Sequence, residues 1–134
     1  MTEDVEYWVP SWLNEYDLVT DPNRELSLIY HVSRSQLLER IARIESHKSI
    51  TALPLPRTLH MIANVDVTAS APDSLHVRSC WNTHIYDPRT FKQWLNFGTY
   101  EHQFSKVDGN WLIRNKKIVL MNDRIQTVID FYSI

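Results

Sequence analysis

Two glycines and one cysteine are all that 134 residues contain of either type. So little glycine leaves no material for a Walker loop, a dinucleotide fingerprint or a Gly-x-Ser-x-Gly elbow, which removes the common nucleotide-binding and serine-hydrolase readings. Scarce glycine also means few strained turns. A lone Cys80 excludes an internal disulfide and fits a reducing compartment. It excludes a Rieske cluster on this chain as well, because that cluster needs two cysteines and two histidines. No apolar run reaches the roughly 20 residues that span a bilayer. The first residues, Met-Thr-Glu-Asp-Val-Glu, are acidic, the reverse of a secretory leader, so a cytoplasmic location is expected. The net charge of −2 supplies no general attraction to nucleic acid or acidic lipid. The short basic run Arg114, Lys116, Lys117 and Arg124 reads as a solvated strand face.

Five tryptophans, six tyrosines and four phenylalanines are generous for this length and suit pleated sheet. The length and an apolar content of 43% predict one domain, residues 1–134, around one core. Val5 to Val9 predicts a short strand closed by Pro10, Ser11 to Arg24 an aromatic loop, and Leu26 to Val32 a second strand. A helix is predicted from Ser33. Ser33 and Gln36 form a capping-box pair, in which each side chain can satisfy the other's backbone N–H. Leu37, Leu38, Ile41 and Ile44 give it an apolar stripe destined for the core. Ser46 to Arg57 reads as an extended loop with Pro54 and Pro56.

From Thr58 the period changes to two. Leu59, Met61, Ala63, Val65 and Val67 are assigned to one face, and His60, Ile62, Asn64, Asp66 and Thr68 to the other. Ala71-Pro72-Asp73-Ser74 is a turn. In the following strand Leu75, Val77, Ser79, Trp81, Thr83 and Ile85 share a face, opposite His76, Arg78, Cys80, Asn82, His84 and Tyr86. Cys80 is expected to be a buried, inert thiol, since no cationic neighbour is visible to activate it. A loop from Asp87 to Gln93 precedes a strand from Phe97 to Lys106, and Asp108-Gly109 turns it into a strand from Trp111 to Met121. The tail from Asn122 to Ile134 carries enough apolar residues to dock against the rest. A helix followed by an antiparallel meander predicts an α+β fold.

Six histidines raise the question of metal, but the spacing does not support one. His76 and His84 share a strand face yet lie about 26 Å apart at ~3.3 Å per residue. No metal, catalytic or cofactor-binding residue is therefore assigned to this chain. One acid–base arrangement stays open: His60, Asn64 and Asp66 on a common face, with His60 and Asp66 as the working pair. It would make the chain a stand-alone isomerase or small-molecule binder. The alternative is that these side chains bind loops or a neighbouring subunit.

Several phrases point elsewhere: Glu3-Asp-Val-Glu-Tyr-Trp-Val-Pro10, Glu25-Leu-Ser-Leu-Ile-Tyr30, Arg57-Thr-Leu-His60 with Ile62 and Asn64-Val65, Phe97-Gly-Thr-Tyr100, Lys116-Lys-Ile-Val-Leu-Met-Asn-Asp123, and Val128-Ile-Asp-Phe-Tyr132. Together they run along nearly the whole chain. The chain resembles the β (small) subunits of bacterial aromatic-ring-hydroxylating dioxygenases, most of all the benzoate, toluate, halobenzoate and anthranilate class. That resemblance implies an NTF2-like cone, a strongly curved mixed, mainly antiparallel sheet packed on helices. It implies a terminal oxygenase of three large (α) and three small subunits, with the Rieske [2Fe-2S] cluster and mononuclear Fe(II) on the large subunit and none here. Electrons would reach it from NAD(P)H through a reductase. The small subunit would be structural, contacting α and other β subunits. Tyr7, Trp8, Trp12, Arg57, His60, Asn122, Asp123 and Tyr132 are the expected assembly contacts. The family's chains carry a helical stretch ahead of the Asp-Val-Glu-Tyr-Trp strand, whereas here Met1 stands almost directly before it. With the N-terminal helix missing, one sheet face is expected to expose an apolar patch.

Overall fold

Alternating apolar and polar residues build the sheet, and the computed structural model shows how far that alternation reaches. It describes residues 1–46, 54–122, 125–126 and 128–134; the expected loop at 47–53, Asp123 and Arg124 lie outside them. The elements are β1 (Glu6–Pro10), β2 (Ser27–His31), α1 (Arg34–Glu45), β3 (Arg57–Ala71), β4 (Ser74–Asp87), β5 (Lys92–Val107) and β6 (Asn110–Leu120). The six strands form one sheet in the order β2-β1-β6-β5-β4-β3. Only the β1–β6 pairing is parallel, so the sheet is mixed and mainly antiparallel, and with α1 it makes the expected α+β fold.

Turn chemistry sets the hairpins. Asp108 (φ 48) and Gly109 (φ 79) both adopt the left-handed conformation between the paired residues Val107 and Asn110. This is the two-residue turn whose twist matches the flanking strands. Pro72-Asp73 closes β3 onto β4 between Ala71 and Ser74. β5 begins at Lys92, five residues earlier than predicted, and carries Trp94 and Leu95 into the sheet.

The predicted alternation of β4 is present: Ser79, Trp81, Thr83 and Ile85 are buried, while their neighbours turn outward. Cross-strand partners project to the same face, so the register spreads this division over the sheet. The inner face and the elements closing it hold the core: Val5, Tyr7, Val9, Ile29, Leu37, Trp81, Tyr100, Ile118, Leu120 and Ile134. Gly98 lies between Trp81 and Leu120, where the backbones of β5 and β6 approach closely. Cys80 falls on the outer face and is exposed, which corrects the expectation of a buried thiol.

The helix begins as predicted, but its cap is displaced by one residue. Gln36 N–H donates to Ser33 Oγ (3.4 Å), while Gln36 Oε1 accepts from Val32 N rather than from Ser33 N (2.9 Å). Of the apolar stripe only Leu37 enters the core; Leu38 and Ile41 are exposed. One helix packed weakly at the end of the sheet covers too little area to bury its whole stripe.

The C-terminal tail docks as expected, through its last residues. Ile134 and Ser133 are buried, Ile129 and Phe131 pack against the core, and Phe131 meets Tyr7 edge-to-face at 5.1 Å. Ile125 and Val128 remain exposed.

Candidate assembly surface

The acid–base arrangement does not form. His60 lies opposite Thr83, an inner-face residue, whereas Asp66 lies opposite Arg78, an outer-face residue. The register shifts between Ala63 and Asp66: three residues of β3 span what two of β4 span. One extra residue in a strand inverts everything beyond it. Asn64 (φ 53) sits in this bulge and turns its amide toward Cys80 Sγ on the outer face (3.8 Å). His60 and Asp66 are thus on opposite faces and about 20 Å apart along the strand. His60 instead fastens the tail. Its Nε2–H donates to the Tyr132 carbonyl (3.1 Å), which can only accept, and its Nδ1 then accepts from Thr83 Oγ1 (3.1 Å).

A metal fits no better. Among the described residues no three His, Cys, Asp or Glu side chains are grouped to hold an ion. With one cysteine in the whole chain, the donor set does not suit a Rieske cluster. No helix among the described residues is long and apolar enough to cross a membrane.

The surface offers adhesion instead. β3 is an edge strand of 15 residues, nearly all of them exposed on both faces. Such an edge invites pairing unless it is covered. On the outer face the register of β3, β4 and β5 assembles three cross-strand rows: Arg57–Tyr86–Gln93, Leu59–His84–Leu95 and Met61–Asn82–Phe97. Leu59 (62%), Met61 (51%), Leu95 (41%) and Phe97 (42%) are exposed together, and Met121 (54%) extends the third row. Scattered exposed leucines are ordinary, whereas a contiguous apolar patch marks a contact surface. A groove of ≈ 470 Å³ runs across the first two rows. The Arg57 guanidinium lies 5.8 Å from the centre of the Tyr86 ring and has no ion-pair partner among the described residues. The Asn82 Oδ1 acceptor is buried and unmatched at the centre of the third row.

The residues predicted as contacts divide into three groups. Arg57 is exposed at the edge of this patch. Trp12, Asn122, His60 and Tyr132 fasten this chain to itself: Trp12 Nε1–H donates to the Leu120 carbonyl (2.7 Å), and Asn122 Oδ1 accepts from Phe97 N (3.0 Å). Tyr7 and Trp8 are 4% and 8% exposed and cannot meet another subunit directly, a correction to the expectation. Trp8 donates to Ser27 Oγ (2.9 Å) under the Lys117 ammonium, 5.1 Å from its ring centre. Burial of Tyr7 pushes its phenol well above the usual range. Leu95 and Phe97 were missed as contacts. Their signal was two outward apolar residues on one strand, hidden because that strand was started too late.

A curved six-stranded sheet with one helix and a docked tail places the chain among NTF2-like α+β cone proteins. The family model described as "Ring hydroxylating beta subunit" matches residues 1–127. The small subunit of anthranilate 1,2-dioxygenase from Acinetobacter baylyi is 36% identical over 132 residues, covering 98% of this chain and 80% of that protein. The small subunit of 2-halobenzoate 1,2-dioxygenase from Burkholderia cepacia is 36% identical over 128 residues, covering 96% and 76%. The crystal structure of the β subunit of benzoate 1,2-dioxygenase from Burkholderia mallei superposes with a TM-score of 0.76 at 31% identity, covering 99% of this chain and 78% of that one. The chain belongs to the ring-hydroxylating β-subunit family, the small subunits of aromatic-ring dioxygenases.

Proposed function

We propose that this chain, as one domain over residues 1–134, is the non-catalytic small subunit of a terminal oxygenase that adds both atoms of O₂ to a benzoate-like acid. The relatives named above act on anthranilate, 2-halobenzoate and benzoate, which supports that substrate class. The Rieske cluster and mononuclear iron belong to a large α subunit in an α3β3 assembly in the cytoplasm, with NAD(P)H supplying electrons through a reductase. This chain contributes shape and adhesion.

The observation that carries the assembly role is the outer-face patch. Leu59, Leu95 and Phe97 give a desolvated centre, and Arg57 gives a charged anchor at its edge, the combination that dominates protein interfaces. A neighbouring subunit covers this patch and the β3 edge. Asp123 remains an assembly candidate.

Co-expression with the partner large subunit tests the reading. The unaltered chain is expected to co-elute with it. The Leu59→Glu/Leu95→Glu double variant is expected to lose co-elution while keeping its circular dichroism, since both side chains are exposed. A stable lone monomer that never captures the large subunit overturns the proposal. Undiminished assembly of the folded double variant removes the patch from it.

A further inference from the structure

On the inner face, opposite the docking patch, Lys116 is a cation without an anion. The register places it across from His102, and its Nζ lies 4.5 Å from the centre of the Tyr100 ring and 5.7 Å from that of Tyr7. It makes no ion pair among the described residues. The one inner-region carboxylate felt by Tyr7 is Asp130, and Arg40 already holds it at 2.7 Å. Ring faces attract an ammonium but bring no negative charge to neutralise it. Partial burial without a counter-ion is unfavourable for an ammonium, and burial does hold Lys116 below the usual lysine range, with no acidic group acting against it.

Its surroundings are donors and aromatic planes. The Trp81 ring stacks on Tyr100 at 5.2 Å and 7°, and its Nε1–H is buried without an acceptor. Trp81 is 97% buried, being 3% exposed. Tyr100 meets His102 edge-on at 5.4 Å, and His102 continues to Phe104 at 5.7 Å, so the ladder runs from the closed core to the half-buried end of the face. His102 has no hydrogen-bond partner among the described residues.

We infer that the inner face carries a site for a small aromatic carboxylate, with the carboxylate on Lys116 Nζ and the ring along His102 and Phe104. The carboxylate supplies the charge that Lys116 lacks, and His102 offers one N–H beside it. A neutral aromatic would gain the ring contacts and leave the ammonium unmatched. A non-aromatic anion would do the reverse. The site lies on the other side of the sheet from the assembly patch and does not depend on it.

Calorimetric titration of the purified full chain with benzoate tests this, with neutral benzamide as the control. Saturable benzoate binding is expected, with benzamide weaker by at least about tenfold. Lys116→Met is expected to lose binding by about tenfold or more, and Lys116→Arg to stay within about threefold, because it keeps the charge. Leu59→Glu/Leu95→Glu is expected to bind benzoate unchanged, which separates this site from assembly. Absence of saturable benzoate binding overturns the inference. So does equal affinity for benzoate and benzamide, or unchanged binding by folded Lys116→Met. Should Lys116→Met fail to fold, the benzoate-against-benzamide comparison on the unaltered chain decides.

Discussion

Arg40 and Asp130 join the helix to the tail. Arg40 Nε donates to Asp130 Oδ1 at 2.7 Å, and the side chains are only 17% and 9% exposed. The second guanidinium arm donates to the Ile129 carbonyl (2.9 Å), and the same group lies 5.2 Å from the centre of the Phe131 ring. Asp130 Oδ1 also accepts from Phe131 N, and the Ser133 hydroxyl donates to the Asp130 carbonyl. One arginine therefore supports a segment that has no regular secondary structure of its own.

Removing that arginine strands a nearly buried carboxylate. Arg40→Met is expected to cost about 3 kcal/mol, the lower end for breaking a buried pair by deleting one partner. Urea unfolding measures it. The tail should become a protease-sensitive site in the same variant, because the Ile129 carbonyl and Phe131 lose their anchor too. A variant with an unchanged urea midpoint and a protected tail would show that Asp130 holds the segment without Arg40.

Gly98 is needed for space. A Cβ there would overlap the carbonyl oxygen of Val119 on the neighbouring strand. That oxygen belongs to the backbone and cannot rotate away. Gly98→Ala is expected to destabilise by about 3 kcal/mol, the upper range for overpacking a tight interior. The measurement is the same urea midpoint. Gly109→Ala at the hairpin tip meets nothing within 4 Å, but its φ of 79 makes alanine strained there, so a smaller loss is expected.

What the sequence disclosed follows from these details. β4 was legible because its alternation is unbroken and its inward residues are large. The Asp108-Gly109 turn was legible because its backbone demands those residue types. The family was legible from several phrases together. The bulge in β3 was hidden, because Met61, Ala63, Val65 and Val67 keep an uninterrupted alternation through it. The one hint was Asn64, a residue that tolerates positive φ. Lys116 was hidden inside a basic run read as solvated, although adjacent strand residues must face opposite ways. Lys117 does face outward, over Trp8, while Lys116 faces in.

That inward lysine shapes the acid response. Burial, and then the charge of Lys116, push the His102 imidazole down from 6.5 to about 4. The unfolded chain takes up this proton near 6.5, while the folded chain resists until about 4, so protons favour unfolding in that window. The contribution of His102 to stability is whole above pH 6.5 and declines as the pH falls toward 4. His31, lowered chiefly by burial, acts in the same direction. His102→Asn should flatten the decline of the urea midpoint between neutral and mildly acidic pH. Lys116→Met should flatten it partly, since it removes the smaller cause. An unaltered pH slope in His102→Asn would exclude this histidine as a source of acid sensitivity.

Asn64 decides which residues of β3 face which side. At φ 53 it occupies a conformation that costs a non-glycine residue about 1–2 kcal/mol, and less for asparagine. Asn64→Gly should therefore leave stability unchanged or slightly raised. Asn64→Val should lose about 1 kcal/mol, because a β-branched side chain opposes positive φ most strongly. The structural readout is the pairing of Asp66 with Arg78, followed by NMR contacts between their backbones. In Asn64→Gly that pairing should persist. If Asn64→Val keeps full stability and Asp66 moves to pair with Val77, the bulge is set by asparagine alone. If the pairing holds at reduced stability, the bulge is imposed by the downstream strand, and the outer-face rows of Leu59, Met61, Leu95 and Phe97 keep their register regardless of which residue bears the strain.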